Sequence, residues 1–200
     1  MNAFRTVFLV LDMQNDLCHK DGVFFKHGLM APQINEIIPP IVETINFCNQ
    51  QHIPIIATQL TILADSNENA LGLGMLKVLR PFLEKEGFRE GTWGHDLLEG
   101  LPSITYQIKK WGISAFYQSE LQHYLKALNA EEMVLCGFTT NGVVETVARE
   151  AVGRNYRVTT LTDCVASYSD ALHQASLSNL AAMGKIIKSV DWQNKYKESI

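Results

Sequence analysis

Cysteine is scarce in this chain and badly placed for cross-linking. Cys18, Cys48, Cys136 and Cys164 stand far apart and no CxxC occurs. That excludes a small disulfide-stapled fold and points to free thiols in a reducing compartment. Long hydrophobic runs are missing too, since none approaches the roughly 18 residues of a membrane-spanning helix. Met1–Leu11 carries a single arginine ahead of a short apolar run closed by Asp12, with no small-residue cleavage pattern, so it does not read as a secretory signal. Positive charge is thin: 17 Lys and Arg against 21 Asp and Glu give a net charge of −4, and the basic residues are scattered. Without a basic footprint a nucleic-acid partner is excluded. His19, His27, His52, His95, His123 and His173 show neither HxH nor HExxH spacing, so no metal or other cofactor is expected. What remains is a cytoplasmic protein with a small-molecule partner and no membrane.

What the chain does have is rhythm. With 200 residues, 46% of them hydrophobic, it can bury one sizeable core, and residues 1–200 read as a single domain. Thr6–Leu11 is a continuous apolar run, the mark of a strand covered on both faces of a parallel sheet. A polar loop from Gln14 to about Pro32 follows. Next comes an amphipathic helix with Pro39 and Pro40 in its first turn, running to about His52. Ile53–Thr58 is the second strand. Ala64–Gly100 is weaker, with short helices and glycine turns, as suits an excursion over a site. The alternation then resumes: strand Ile104–Ile108, helix Ser119–Leu128 with the serine as N-cap, strand Glu132–Cys136, helix Asn141–Arg154, strand Arg157–Leu161, helix Asp170–Met183, strand Ile186–Val190. This predicts an α/β fold of three layers, a six-stranded, mostly parallel sheet flanked by helices.

In such sheets ligands sit beyond the carboxyl ends of the strands. Three polar features fall there: Asp12 after the first strand, Lys109 and Lys110 after the third, and Gly137-Phe-Thr-Thr-Asn-Gly142 after the fourth. Each alone has an ordinary explanation as a cap, a solvated loop lysine or a helix start. Together they outline a pocket in which a carboxylate moves protons beside an ammonium, and a helix start offers N–H groups to an oxyanion. Cys18 and Cys164 also fall near this edge but read as small apolar fillers.

These segments carry a resemblance. Leu9-Val-Leu-Asp-Met-Gln-Asn-Asp16, Gly91-Thr-Trp-Gly94, Lys110-Trp-Gly-Ile-Ser-Ala-Phe-Tyr117, Gly137-Phe-Thr-Thr-Asn-Gly-Val-Val-Glu-Thr-Val-Ala-Arg149 and Thr162-Asp-Cys-Val-Ala-Ser167 with Leu172-His173 resemble, in order and spacing, the isochorismatase-like cysteine hydrolases. The resemblance implies an Asp-Lys-Cys triad acting on the C–N bond of a small amide, ureide or carbamoyl compound through a covalent acyl-enzyme. Asp12 matches the aspartate and Lys110 the lysine, while Lys109 is one residue out of register. The cysteine position falls on Val143, which has no nucleophilic atom, so covalent catalysis is closed to the chain as written. The resemblance also implies a cis peptide between Phe138 and Thr139, with Asn141 and Gly142 in the same oxyanion loop. Gln14, Gln59, Trp93 and Phe116 are expected on the substrate wall, and a homo-oligomer, dimer or tetramer, is expected.

Two further readings stay open. True isochorismatases resemble this family yet carry glycine at the cysteine position and cleave a vinyl ether by protonation from the aspartate, for which Asp12 and Lys110 suffice. A non-enzymatic binding relative is the other. Metal-dependent nicotinamidase relatives carry an Asp-x-His pair and a further histidine after the second strand, whereas Gln59–Asp65 here holds no histidine.

Overall fold

The computed structural model describes residues 5–199. The first four residues of the Met1–Leu11 segment therefore lie outside the described residues. Six strands form one parallel sheet, in the order β3-β2-β1-β4-β5-β6. They are β1 (Thr6–Leu11), β2 (Ile55–Leu60), β3 (Tyr106–Lys110), β4 (Glu132–Phe138), β5 (Arg157–Ala166) and β6 (Lys185–Ile187). The helices are α1 (Asn15–Cys18), α2 (Val23–Lys26), α3 (Ile34–Gln50), α4 (Met75–Leu79), α5 (Leu121–Ala127), α6 (Glu145–Gly153), α7 (Asp170–Met183) and α8 (Ser189–Ser199).

Strand β1 is apolar from Val7 to Leu11 because both of its faces are covered. Phe8 and Val10 pack with Ile37, Ile41 and Ile45 of α3 and Trp192 of α8. Val7, Leu9 and Leu11 point the other way, into a core with Leu121 and Leu125 of α5 and Val147, Ala148 and Ala151 of α6. The three-layer reading follows directly from this alternation.

Several boundaries differ from the sequence reading. Helix α3 begins at Ile34, so Pro39 and Pro40 lie inside it rather than in its first turn. Interior prolines cost hydrogen bonds. Burial of Ile34 and Ile37 offsets that cost, and Thr44 Oγ1 donates to the Pro40 carbonyl at 2.7 Å. β2 and β3 each start two residues later than expected; Pro54, which has no N–H to give, stands just before β2, its carbonyl accepting from the Phe8 amide. β5 runs on to Ala166 past a register shift against β4, which draws Cys164 into the strand. After the short β6, Ser189–Ser199 is a helix rather than strand. Its anchor, Trp192, stacks on Phe8 and meets Phe47 edge-on. The Gln14–Pro32 loop contains the one-turn helices α1 and α2. Among the described residues, no helix is long and apolar enough to cross a membrane.

The strand order places the site. From β1 the chain builds outward through β2 to β3, then returns to the centre and builds the other way from β4. The reversal falls between β1 and β4, and a crevice opens at the carboxyl ends where the connections diverge.

Candidate active site

Asp12 is the first residue beyond β1 and turns the chain out of the sheet with φ of 55°. That left-handed conformation is uncommon outside glycine, and Asp is among the residues that tolerate it. Its carboxylate is held from two sides. Thr58 Oγ1, inside the neighbouring strand β2, donates to Oδ1 at 2.6 Å while accepting from the Asp12 amide at 3.1 Å. Lys110 Nζ lies 2.8 Å from Oδ2 and also donates to the Gly112 carbonyl at 2.6 Å. Lys110 is therefore the last residue of β3, not a loop residue, and it is almost wholly buried. Lys109 points to the other face and pairs with Glu90. Burial pushes the Asp12 carboxyl above the usual carboxylate range, and the Lys110 ammonium and Thr58 hydroxyl pull it back part of the way.

The loop after β4 is shaped by contacts that leave no room for side chains. Gly137 has φ of 122°, and a Cβ there would lie 2.1 Å from the Leu11 carbonyl oxygen. A Cβ on Gly142 would lie 2.4 Å from Thr139 Oγ1. The Phe138–Thr139 peptide is cis. Thr140–Val144 is a wide turn broken at Gly142 before α6 begins. Two of its amides fold back, since Gly142 and Val144 both donate to the Thr139 carbonyl. Asn141 Oδ1 accepts from Ser167 Oγ at 2.6 Å, and Thr140 Oγ1 meets His173 Nδ1 at 2.9 Å, tying the turn to β5 and α7.

Asp12, Lys110, Phe138, Thr139, Asn141, Gly142 and Val143 line one cavity of about 240 Å³. Its remaining walls are mostly apolar, among them Leu17, Phe24, Leu60 and Ile113, with Arg80 and Tyr168. The volume lies below the roughly 300–1,000 Å³ of sites that take drug-sized ligands, so it suits a small metabolite.

The four residues expected on the substrate wall are placed elsewhere. Gln14 is fully buried and pins three backbone groups: its Nε2 donates to the Leu60 and His95 carbonyls and its Oε1 accepts from the Leu60 amide. Gln59 lies inside β2 rather than after it, and its amide likewise donates to the His95 carbonyl. Trp93 is part-exposed and hydrogen-bonded to Glu99 on the rim of a different hollow. Phe116 packs in the core under the Arg154 guanidinium. Asn15 and Asp16 of the same motif also brace the scaffold: Asn15 donates to the Trp93 carbonyl, and Asp16 accepts from the Phe88 and Val23 amides. Thus Asp12 faces the cavity while the polar residues after it hold the 88–99 segment against the sheet.

Cys18, Cys48, Cys136 and Cys164 are all buried, and burial pushes each thiol up. Cys164, expected beyond the fifth strand, sits in the core. Among the described residues no three His, Cys, Asp or Glu side chains come together to hold a metal ion. Sequence reasoning missed Thr58, Arg80 and Tyr168. A threonine and a glutamine in the otherwise apolar Ile55–Leu60 run were the signal for the first; the other two sit in stretches with no motif.

The isochorismatase domain model matches residues 6–191. The chain is 26% identical to Nicotinamidase 3 of Arabidopsis thaliana, over 90% of this chain and 82% of that protein. It is 25% identical to a probable inactive nicotinamidase of the same plant, over 90% of each. Among solved structures, a cysteine hydrolase from Pseudomonas syringae pv. phaseolicola superposes with a TM-score of 0.87 at 22% identity, covering 100% of this chain and 96% of that one.

Proposed function

This chain belongs to the isochorismatase domain family, and from that premise we propose that it is an amidohydrolase-type member silenced by Val143. It would bind a small amide, ureide or carbamoyl compound over the Asp12–Lys110 pair without attacking it. The observation that carries this reading is the side chain at position 143, an inert isopropyl group lining the same cavity as a buried acid–base pair. Valine is close to cysteine in volume, so the substitution fills the site without a void or an unpaired polar group. A similar protein is itself named a probable inactive nicotinamidase.

With a thiol at 143 the roles would follow from the geometry. Asp12 accepts the thiol proton, the thiolate adds to the carbonyl carbon, and the proton returns to the departing nitrogen as the C–N bond breaks. Water, deprotonated by Asp12, then cleaves the thioester. Lys110 keeps the ionised carboxylate in place, which a buried Asp could not manage alone.

One observation favours a second reading, vinyl ether hydrolysis with Asp12 as the acid: burial raises the proton affinity of Asp12. Against it stands the bulk of Val143 where glycine would leave room. The unmodified chain and Val143→Cys, assayed side by side against small amides, ureides and isochorismate, separate the readings. Turnover of a C–N bond only after the substitution supports the silenced hydrolase. Pyruvate release by the unmodified chain, abolished in Asp12→Asn, replaces it with acid catalysis. No turnover by either leaves a binding protein.

Self-association is part of the same proposal. Helix α4 buries none of its residues and exposes Met75, Val78 and Leu79 next to the cavity, an apolar surface that a second copy can cover. Sedimentation of a monomer at micromolar concentration would refute it.

A further inference from the structure

Two groups in the cavity wall have no part in the chemistry above. Arg80, at the end of α4, lines the cavity and has no carboxylate within 4.0 Å among the described residues. The acid nearest it in sequence, Glu84, pairs instead with Lys77. One Arg80 nitrogen, Nη1, donates to the adjacent Leu79 carbonyl, which leaves most of the five N–H donors of a guanidinium unassigned. Beside it lies Tyr168, with the Arg80 Cζ 5.4 Å from its ring centroid. The ring is held by Phe24 and Phe138, and its hydroxyl is buried without a hydrogen-bond partner among the described residues.

The charges in the cavity do not balance. The Asp12 carboxylate and the Lys110 ammonium neutralise one another, so Arg80 remains as the uncompensated charge on a wall otherwise made mostly of leucines and aromatic rings. A cation in such surroundings attracts an anion strongly, and a guanidinium presents its donors as a planar fork that matches a carboxylate. An orphaned buried hydroxyl beside it is a third donor waiting for an acceptor.

We propose that Arg80 and Tyr168 form a carboxylate subsite, so that the natural ligand is a small amide, ureide or carbamoyl compound bearing a carboxylate. This rests on the amidohydrolase-type reading for the amide half of the ligand. The acid half is carried by the wall alone. Arg80 and Tyr168 are specificity-determining residues: they fix one end of the ligand and thereby set which carbonyl is presented to Asp12, Lys110 and position 143.

The test uses N-carbamoylglycine and N-carbamoylglycinamide, which share a skeleton and differ in carboxylate against carboxamide, titrated calorimetrically into the unmodified chain. The acid is expected to bind on the order of ten- to a hundredfold more tightly than the amide. Arg80→Gln should bring that ratio close to one, Arg80→Lys should keep part of it, and Tyr168→Phe should weaken the acid a few-fold and by more than it weakens the amide. Equal affinities in the unmodified chain, undetectable binding of the acid, or a ratio that survives Arg80→Gln each overturn the proposal. The Lys variant guards against a fold defect at position 80. Val143→Cys separates the two proposals. If it hydrolyses amides while the unmodified chain shows no preference for the acid, the subsite falls and the hydrolase reading stands. If it hydrolyses nothing while an Arg80-dependent preference is present, the subsite stands and the hydrolase reading falls.

Discussion

Lys110 Nζ lies 2.8 Å from Asp12 Oδ2, and the two side chains are only 1% and 7% exposed, so this ion pair meets almost without water. A buried pair is costly to form, and removing one partner leaves a charge that nothing compensates. Lys110→Met and Asp12→Asn should each destabilise the chain by about 3–5 kcal/mol in urea unfolding, the range for breaking a buried pair. The double variant should cost clearly less than the sum of the two. Additive losses would show that the two groups contribute independently and that the close contact carries no coupling.

Gly137 admits no side chain. A Cβ would stand 2.1 Å from the Leu11 carbonyl oxygen in the neighbouring strand, and φ of 122° is a conformation that L-residues rarely adopt. Both objects in the clash are backbone, so no side chain can rotate away. Gly137→Ala should cost about 3 kcal/mol or more, at the upper end of overpacking effects, and should prise β1 from β4 where Asp12 leaves the sheet. Unchanged stability, read as the denaturation midpoint, would mean that the two strands separate there more easily than the register implies.

The parts of the fold legible in the sequence are those where local pattern and burial agree. Thr6–Leu11 and Asp170–Met183 lie where the apolar run and the helical pattern put them, whereas Ser119, expected as an N-cap, stands outside α5, which begins at Leu121 after Glu120. The α3 start was hidden because two prolines mimic a first turn, whereas the packing of Ile34 and Ile37 extends the helix through them. α8 was hidden because its sequence is polar and its place is decided by long-range contacts, Trp192 on Phe8 and Phe47 and Ser189 on Asp163. At the site, the cavity gathers Asp12, Lys110 and Val143 because the first two lie at the ends of β1 and β3 and the third in the turn after β4, all on the same edge. The supposed wall residues Gln14 and Gln59 lie elsewhere for a physical reason: a buried amide must find partners, and both find the carbonyl of His95. Arg80 and Tyr168 reach the cavity only through the fold.

His95 gives the stability a definite pH dependence. The ring is buried, its Nε2 is 2.8 Å from Thr61 Oγ1, and burial holds its pKa below the ordinary histidine value. A histidine depressed in the folded state binds its proton more readily when unfolded, so its contribution is complete above the unfolded value, about 6.5, and is lost as pH falls below it. The melting temperature should drop between about pH 7.5 and about pH 5.5, and His95→Gln should flatten that slope. His173, also depressed by burial, contributes with the same sign. A slope unchanged in His95→Gln would assign the effect elsewhere.

Position 143 offers the sharpest contrast in thiol chemistry. The native cysteines are all buried, with Cys18 the least so at 4% exposure, and burial pushes their thiols too high to ionise at neutral pH. Only the thiolate alkylates at a useful rate. Folded unmodified chain should therefore resist iodoacetamide, while Val143→Cys takes up one label, located by peptide mass, because its side chain would line the cavity with Asp12 and Lys110. Adding Lys110→Met should slow that labelling by about tenfold, the effect of raising a thiol pKa by roughly one unit when a neighbouring cation is lost. Uptake at the four native cysteines as fast as at position 143 would mean that the core opens readily. A folded Val143→Cys that takes up no label would mean that the position, though on the cavity wall, is sealed from reagents and could not have served a nucleophile.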